Sequence, residues 1–525
     1  MSATMCQSAE TPAVTTAIYS ERGPMRDDRP ARDATATADR PGRTPAVVRL
    51  LVLATFVVIL NETIMLNAIP RLMTDLNVTE QAAQWISTAF MLTMAAVIPV
   101  TGWFLQRVST RSAYATAMGV FLSGTVLAAA APVFGVLLLG RITQAAGTAV
   151  MLPLLMTTLM TVVPARDRGR VMGNVTMAIS VAPALGPAVS GLVLQLGSWR
   201  LLFVLVLPIA GTVAWFGLRR IENVGEPQLS TIDWLSVMAA AVGFGGLVYG
   251  LTQFAEGAAS RSVLFIIGGL AAIGVFVTRQ LRLQRTGSPL MDLRTLLHPT
   301  YAKALTLMSM AFMGMLSSMI LLPLFLQNLR GLSPLQTGLL VMPGGFAMGL
   351  LGPTVGRLFD RFGGRVLMIP GSLGVMVALA GFTQVSMTMP YWQILGLHIL
   401  LMLSLAALFT PVFTLGLGAL PPHLYAHGSS MLGTLQQVAA AFGTALAVTA
   451  LTIRADQLTT DGVAADLAQL GGMRLGFLVG AVVSIVVVVL ALRMPPRTEH
   501  SHEVTPDDSP DAPYDELADE LEAAR

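Results

Sequence analysis

Charge is scarce in this sequence. Of its 525 residues only 12% are Asp, Glu, Lys or Arg, about half the roughly 25% carried by a soluble domain. With 54% hydrophobic residues and a mean hydropathy of +0.69, the chain reads as an all-α, polytopic membrane protein. Lysine occurs once, as Lys303 in TYAKAL with no glycine-rich loop before it, which excludes the phosphate loop of an ATP-driven pump. Neither HExxH nor Gly-x-Ser-x-Gly is present, so an enzyme is the poorer class and no metal or cofactor is expected. Cys6 is the only cysteine, so no internal disulfide can form. The first 49 residues lack an apolar run, and no secretory signal peptide is expected. The pI is 9.3, but the net charge is only +3 and the arginines are scattered through short loops. They set orientation in a bilayer; a nucleic-acid partner is set aside.

A helix crossing the hydrocarbon core needs about 20 mainly apolar residues. Windows of that length predict fourteen spans, near 47–69, 82–104, 112–131, 133–157, 171–194, 201–218, 232–252, 262–280, 302–327, 336–356, 365–384, 392–415, 429–453 and 474–493. Basic residues concentrate in alternate loops, with Arg107, Arg111, Arg166, Arg219, Arg285 and Arg361 on one side and fewer, such as Arg71, Arg200 and Arg474, on the other. The positive-inside bias places both termini in the cytoplasm, as an even number of spans requires. Residues 1–46 and the acidic 495–525 lack apolar periodicity and read as disordered cytoplasmic tails.

Two stretches repeat. In GWFLQRVSTR (102–111) and GRLFDRFGGR (356–365), Gly102 matches Gly356, Arg107 matches Arg361 and Arg111 matches Arg365. Each follows a hydrophobic span and enters a short cytoplasmic loop, so 47–220 and 286–494 read as two six-helix halves. The two helices within 221–285 are then an insertion, giving six plus two plus six. Parallel half-repeats are one architecture of secondary transporters, with the substrate site near the midplane between the halves.

The repeated stretch resembles motif A of the major facilitator superfamily, Gly-x-Leu-Ala-Asp-Arg-x-Gly-Arg-Lys. The first copy departs from it with Gln106 for the acid and Ser109 for the glycine, while the second keeps Asp360, Arg361, Gly363 and Arg365. LLLGRITQAAGTAV (137–150) is similar to the superfamily's motif B, an intramembrane Arg followed by Gln and Gly. APALGPAVSG (182–191) is similar to the antiporter motif C, with Ser190 for one glycine. Together with fourteen spans, these resemble the fourteen-helix drug:proton antiporters of the EmrB/QacA type. LNETIMLNAIP and LQRVSTR look closest to its lincomycin-resistance-like branch. The resemblance implies the major facilitator fold, a cytoplasmic latch at motif A that the second copy carries better, and a motif C hinge tied to exchange.

Several polar residues sit where polarity is expensive. Glu62 lies inside FVVILNETIMLNAIP (56–70), and a carboxylate at the centre of a bilayer helix costs roughly 2.5–3.5 kcal/mol. It either binds and releases protons or forms a permanent ion pair. Arg141 is its natural compensating charge, with Gln144 and Thr148 along the same face; a structural Arg bonded to backbone carbonyls is the alternative. Pro183 and Pro187 remove backbone donors, and Gly186 and Gly191 permit bending and close approach of another helix. Met308, Phe312, Met315 and Met319 share a helical face that suits either a cavity accepting several ligand shapes or core packing. Thr434, Gln437 and Thr444 form a polar stripe that lines the pathway or bonds neighbouring helices. Asp233 and Asp292 fall near span boundaries and are expected to be solvated.

The sequence therefore predicts a monomeric, multi-pass carrier of a bacterial cytoplasmic membrane, exporting small amphipathic or cationic drugs in exchange for protons as the coupling ion. A proton-coupled transporter of an endogenous metabolite or of a self-made antibiotic keeps the same fold, as does a non-transporting membrane sensor.

Overall fold

The computed structural model describes residues 44–65, 68–224, 231–255, 259–286 and 289–496; most of both predicted tails lies outside them. Fourteen helices among the described residues are long and apolar enough to cross a membrane. In chain order they are α1 (Ala46–Ile64), α2 (Glu80–Arg107), α3 (Thr110–Ala129), α4 (Phe134–Val162), α5 (Arg168–Gln195), α6 (Arg200–Arg220), α7 (Trp234–Ala255), α8 (Ala259–Thr286), α9 (Pro299–Leu324), α10 (Pro334–Phe362), α11 (Arg365–Phe382), α12 (Tyr391–Gly418), α13 (Tyr425–Thr460) and α14 (Ala465–Leu492).

Helix ends follow local chemistry. Thr79 caps α2 by accepting the Ala82 N–H, and Ser333 with Gln336 forms a reciprocal capping box at the start of α10, where Pro334 has no N–H to lose. The two motif A copies turn differently. Gly363 ends α10 at φ 84, a conformation that favours glycine. Its counterpart Ser109, at φ −64, caps α3 through its hydroxyl, so the missing glycine in the first copy is a change of turn.

Helices α1–α6 and α9–α14 form two groups that meet along two seams, α5 against α10 and α2 against α13. The first is the most extensive helix pair in the molecule and is built from small residues. A Cβ at Gly169 or Gly356 would overlap the opposing backbone, as would one at Gly173 or Gly352, and one at Gly345 would overlap Ala184. Such small-xxx-small spacing lets helix backbones touch.

The inserted hairpin is not peripheral. Helix α7 packs on α8 and also on both α2 and α13, with Trp85 of α2 stacked on Tyr249 of α7 at 5.7 Å. Its cytoplasmic end is tied down by Asp233, which takes a bidentate ion pair from Arg279 and a hydrogen bond from Ser236. Gln280 donates to Ser236 and accepts from Leu290 and Met291 N–H, binding α7, α8 and the connector to α9 together. Asp233 is therefore engaged, and Asp292, 2% exposed, is held by Arg294 and Gln284. Neither is the solvated boundary carboxylate expected from its position, because the connector folds back onto the bundle.

Candidate functional site

Arg141 is 1% exposed and sits at the junction of α2, α3 and α4. The approach of α3 and α4 is set by glycines: a Cβ at Gly124 would overlap Gln144, one at Gly140 the Ala128 backbone, and one at Gly147 the Ala117 carbonyl. In that junction Arg141 Nη1 donates to Gln144 Oε1 at 3.1 Å, and Gln144 Nε2 donates to Thr125 Oγ1 at 2.9 Å. The guanidinium lies 4.3 Å from the Phe90 ring centroid, a stabilising arrangement for a desolvated cation. Its Nε has no hydrogen-bond partner.

Glu62 is half-buried on the last turns of α1. Its charge and that of Arg141 interact electrostatically, yet the ion pairs among the described residues are Arg166–Asp167, Arg279–Asp233 and Arg294–Asp292. Glu62 and Arg141 are thus coupled through their charges without an ion-pair contact in this conformation, and Arg141 Nε is left unpartnered. Beside Glu62, Asn61 is fully buried with both side-chain polar atoms unpartnered.

Motif C reaches the same place. Helix α5 runs unbroken through Pro183 and Pro187, and a Cβ at Gly186 would overlap the Thr63 side chain, adjacent to Glu62. Gly186 thus lets α1 and α5 close on each other. Gly191 does not: nothing lies within 4 Å of a Cβ added there, so the close approach expected at both glycines occurs at one. Pro187 instead faces Gly338 of α10.

At the cytoplasmic end the two halves are joined. Asp360 accepts the Gly169 N–H at 2.8 Å and the Arg170 N–H at 2.7 Å, capping the start of α5 with a carboxylate. At the matching place Gln106 Nε2 donates to the His423 carbonyl at 2.9 Å, while Gly102 abuts His427 and Gly356 abuts Gly169. Thr157 pairs with Ser429 at 2.8 Å, Thr176 with Thr410 at 2.9 Å, and Ser430 donates to the Ile98 carbonyl at 2.6 Å. Arg107 stacks on Trp103 and Arg361 on Phe362; Arg111 and Arg365 open α3 and α11 with exposed side chains. Thr125, Phe90, Thr63, Thr157 and Ser429 were not singled out from sequence. Polar residues inside apolar runs were the available signal for the threonines; nothing in the periodicity marked Phe90.

The methionine stripe of α9 is not uniform. Met308 is 1% exposed, Phe312 packs 6.1 Å from the Phe409 ring, and Met319 is 46% exposed. Thr434 is buried and donates to the Ser430 carbonyl, whereas Gln437 is half-buried.

Comparison with known proteins bears on the family and the fold. The chain is 37% identical to the MFS-type transporter YcnB of Bacillus subtilis, covering 88% of this chain and 98% of that protein. It is 36% identical to the lincomycin resistance protein LmrB of Listeria monocytogenes, over 87% and 98%, and 28% identical to a multidrug resistance protein B homolog of Mycobacterium tuberculosis, over 72% and 71%. Among solved structures, the proton:xylose symporter XylE shares the fold at a TM-score of 0.61 and 14% identity, covering 86% of this chain and 96% of that one. The family profile matches residues 51–444, and the chain, a multi-pass membrane transporter, belongs to the Major Facilitator Superfamily.

Proposed function

We propose that this transporter exports amphipathic or cationic drugs across the bacterial cytoplasmic membrane in exchange for protons. The observation that carries the reading is the placement of Glu62: a half-buried carboxylate within an apolar helix, in the field of a fully buried arginine and next to the Thr63–Gly186 contact. Protonation cancels its charge in the field of Arg141 and changes the electrostatic energy of the α1–α5 junction; deprotonation restores it. Each charge moved is worth about 2.3 kcal/mol per 100 mV of membrane potential, enough to drive uphill export when coupled to a change of access. Relatives named for lincomycin and multidrug resistance support drugs as cargo.

In this scheme Pro183, Gly186 and Pro187 form the junction through which α5 senses Glu62, and α5 in turn carries the Asp360 latch at its other end. Met308, Phe312, Met315, Met319, Thr434 and Gln437 line the drug path between the halves, and the proton is the only coupling species needed. The test is proton-gradient-driven extrusion of ethidium from everted vesicles, comparing wild type with Glu62→Gln at matched expression. Loss of uphill transport in the variant is expected. Equal transport in both would make Glu62 structural, and no transport in either would refute export of ethidium-like cations and turn the search toward a metabolite as cargo.

A further inference from the structure

The cytoplasmic ends of α1, α3 and α6 line an open cleft of about 540 Å³, apart from the residues assigned to the transport path. Arg111, Arg219 and Arg220 line it, together with Glu222 and Asn223 and the start of α1 at Ala46. The segment after α6 is zipped to α3: Asn223 Oδ1 accepts the Arg111 N–H at 3.2 Å, and Val224 exchanges two hydrogen bonds with Thr110. Arg111 is thereby held beside the two arginines of α6. Among the described residues none of the three guanidiniums has a carboxylate in ion-pair contact; Glu222 shares the cleft without pairing with them. Three positive charges against one leave a surplus that favours an anion.

The depth of the cleft narrows the choice. One turn before the arginines, Trp215 and Phe216 are 47% and 40% exposed on the outer face of a spanning helix, as aromatic residues are at the membrane–water interface. Arg219 lies 4.1 Å from the Trp215 ring centroid and Arg220 5.9 Å from that of Phe216. The cations therefore stand at headgroup level, with the rings below them at the level of acyl chains.

We propose that this cleft binds the phosphate-bearing headgroup of an anionic membrane lipid. Guanidinium clusters recognise phosphate oxygens by charge-assisted hydrogen bonds, and the exposed rings present an apolar wall to the attached chains. The bound lipid braces α1, α3 and α6 where motif A turns into α3, beside the link to the inserted hairpin.

The purified full-length transporter, in a neutral detergent, is titrated with a short-chain phosphatidylglycerol, with the matching phosphatidylcholine and with inorganic phosphate, reading the thermal unfolding midpoint. Phosphatidylglycerol is expected to raise it at concentrations at least about tenfold lower than phosphatidylcholine. Arg219→Gln weakens this response about fivefold, and combining it with Arg111→Gln and Arg220→Gln weakens it on the order of a hundredfold. Glu222→Gln strengthens it about fivefold, a gain that a folding defect cannot imitate. Equal responses to both lipids would overturn the proposal, as would equally strong binding of inorganic phosphate, which would mark a site for a free anion. An equal loss in a charge-matched Arg282→Gln, Arg285→Gln, Lys303→Gln variant would also overturn it, since bulk charge alone would then be acting.

Discussion

Replacing Asp360 by asparagine tests the cytoplasmic latch at a single atom. The two carboxylate oxygens accept two backbone N–H groups at 2.8 and 2.7 Å from the first turn of α5. Asparagine keeps one acceptor and turns an amide donor toward the other N–H. One charge-assisted hydrogen bond, about 1.5–3 kcal/mol, is lost with the interaction of the charge and the helix terminus, about 0.3–1 kcal/mol. Asp360 is only half-buried, so water replaces part of the loss, leaving a net destabilisation of the closed cytoplasmic end of about 1–2 kcal/mol. That corresponds to an increase of about 5–30-fold in the population open to that side. The single native cysteine makes the assay simple: in a Cys6→Ser background, Thr176→Cys reports from the contact with Thr410 between the halves. Labelling by a membrane-impermeant maleimide in inside-out vesicles is expected to accelerate by that factor when Asp360→Asn is added. Unchanged labelling with an unchanged melting temperature would refute the latch, and a lowered melting temperature with unchanged labelling would reduce Asp360 to an ordinary helix cap.

Three further outcomes are expected. Gly173→Ala, whose methyl meets the Gly352 carbonyl in a backbone contact, destabilises the protein by about 1–3 kcal/mol, whereas Gly191→Ala, with open space at its Cβ, leaves the melting temperature unchanged; a reversal of that order would refute the seam. Thr125→Val removes the acceptor of Gln144 and lowers stability by about 1–3 kcal/mol, the penalty of a buried donor left unpaired, measurable as a fall in melting temperature. Asp233 is held down to about 2, first by the hydrogen bond from Arg279. A depressed carboxylate stabilises above its unfolded value and loses that contribution as pH falls through the folded one, so the stability gap between wild type and Asp233→Asn stays constant between about pH 5 and 8; a gap that closes within that window would contradict the ion pair.

Much of the architecture was legible because the bilayer imposes a length. Fourteen apolar windows correspond to fourteen helices, and the largest differences lie where polarity hides a helix. The last span begins at Ala465, about two turns before the window at 474, since Asp466, Gln469 and Arg474 dilute its hydropathy without breaking it. Helix α13 likewise continues through the polar RADQLTT to Thr460. At the site, Glu62 and Arg141 stood out by their expense in lipid, and Gln144 by its place on the Arg141 face, but the partners on other helices did not. Periodicity assigns a residue to a face and says nothing about the neighbour opposite, so Thr63 against Gly186 and Phe90 beneath Arg141 emerge only from packing. The spacing Gly169, Gly173 and Gly352, Gly356 was a readable signal for the seam between the halves.

The position of α7 bears on which sides of the joint between the halves are left uncovered. Along one seam the backbones of α5 and α10 touch and leave no slot; along the other, α7 lies over the line where α2 and α13 meet. The inserted hairpin thus lies against both sides of that joint, with Trp85 and Tyr249 stacked between α2 and α7. A solute reaching the space between the halves along that joint would have to displace α7 from both of its neighbours.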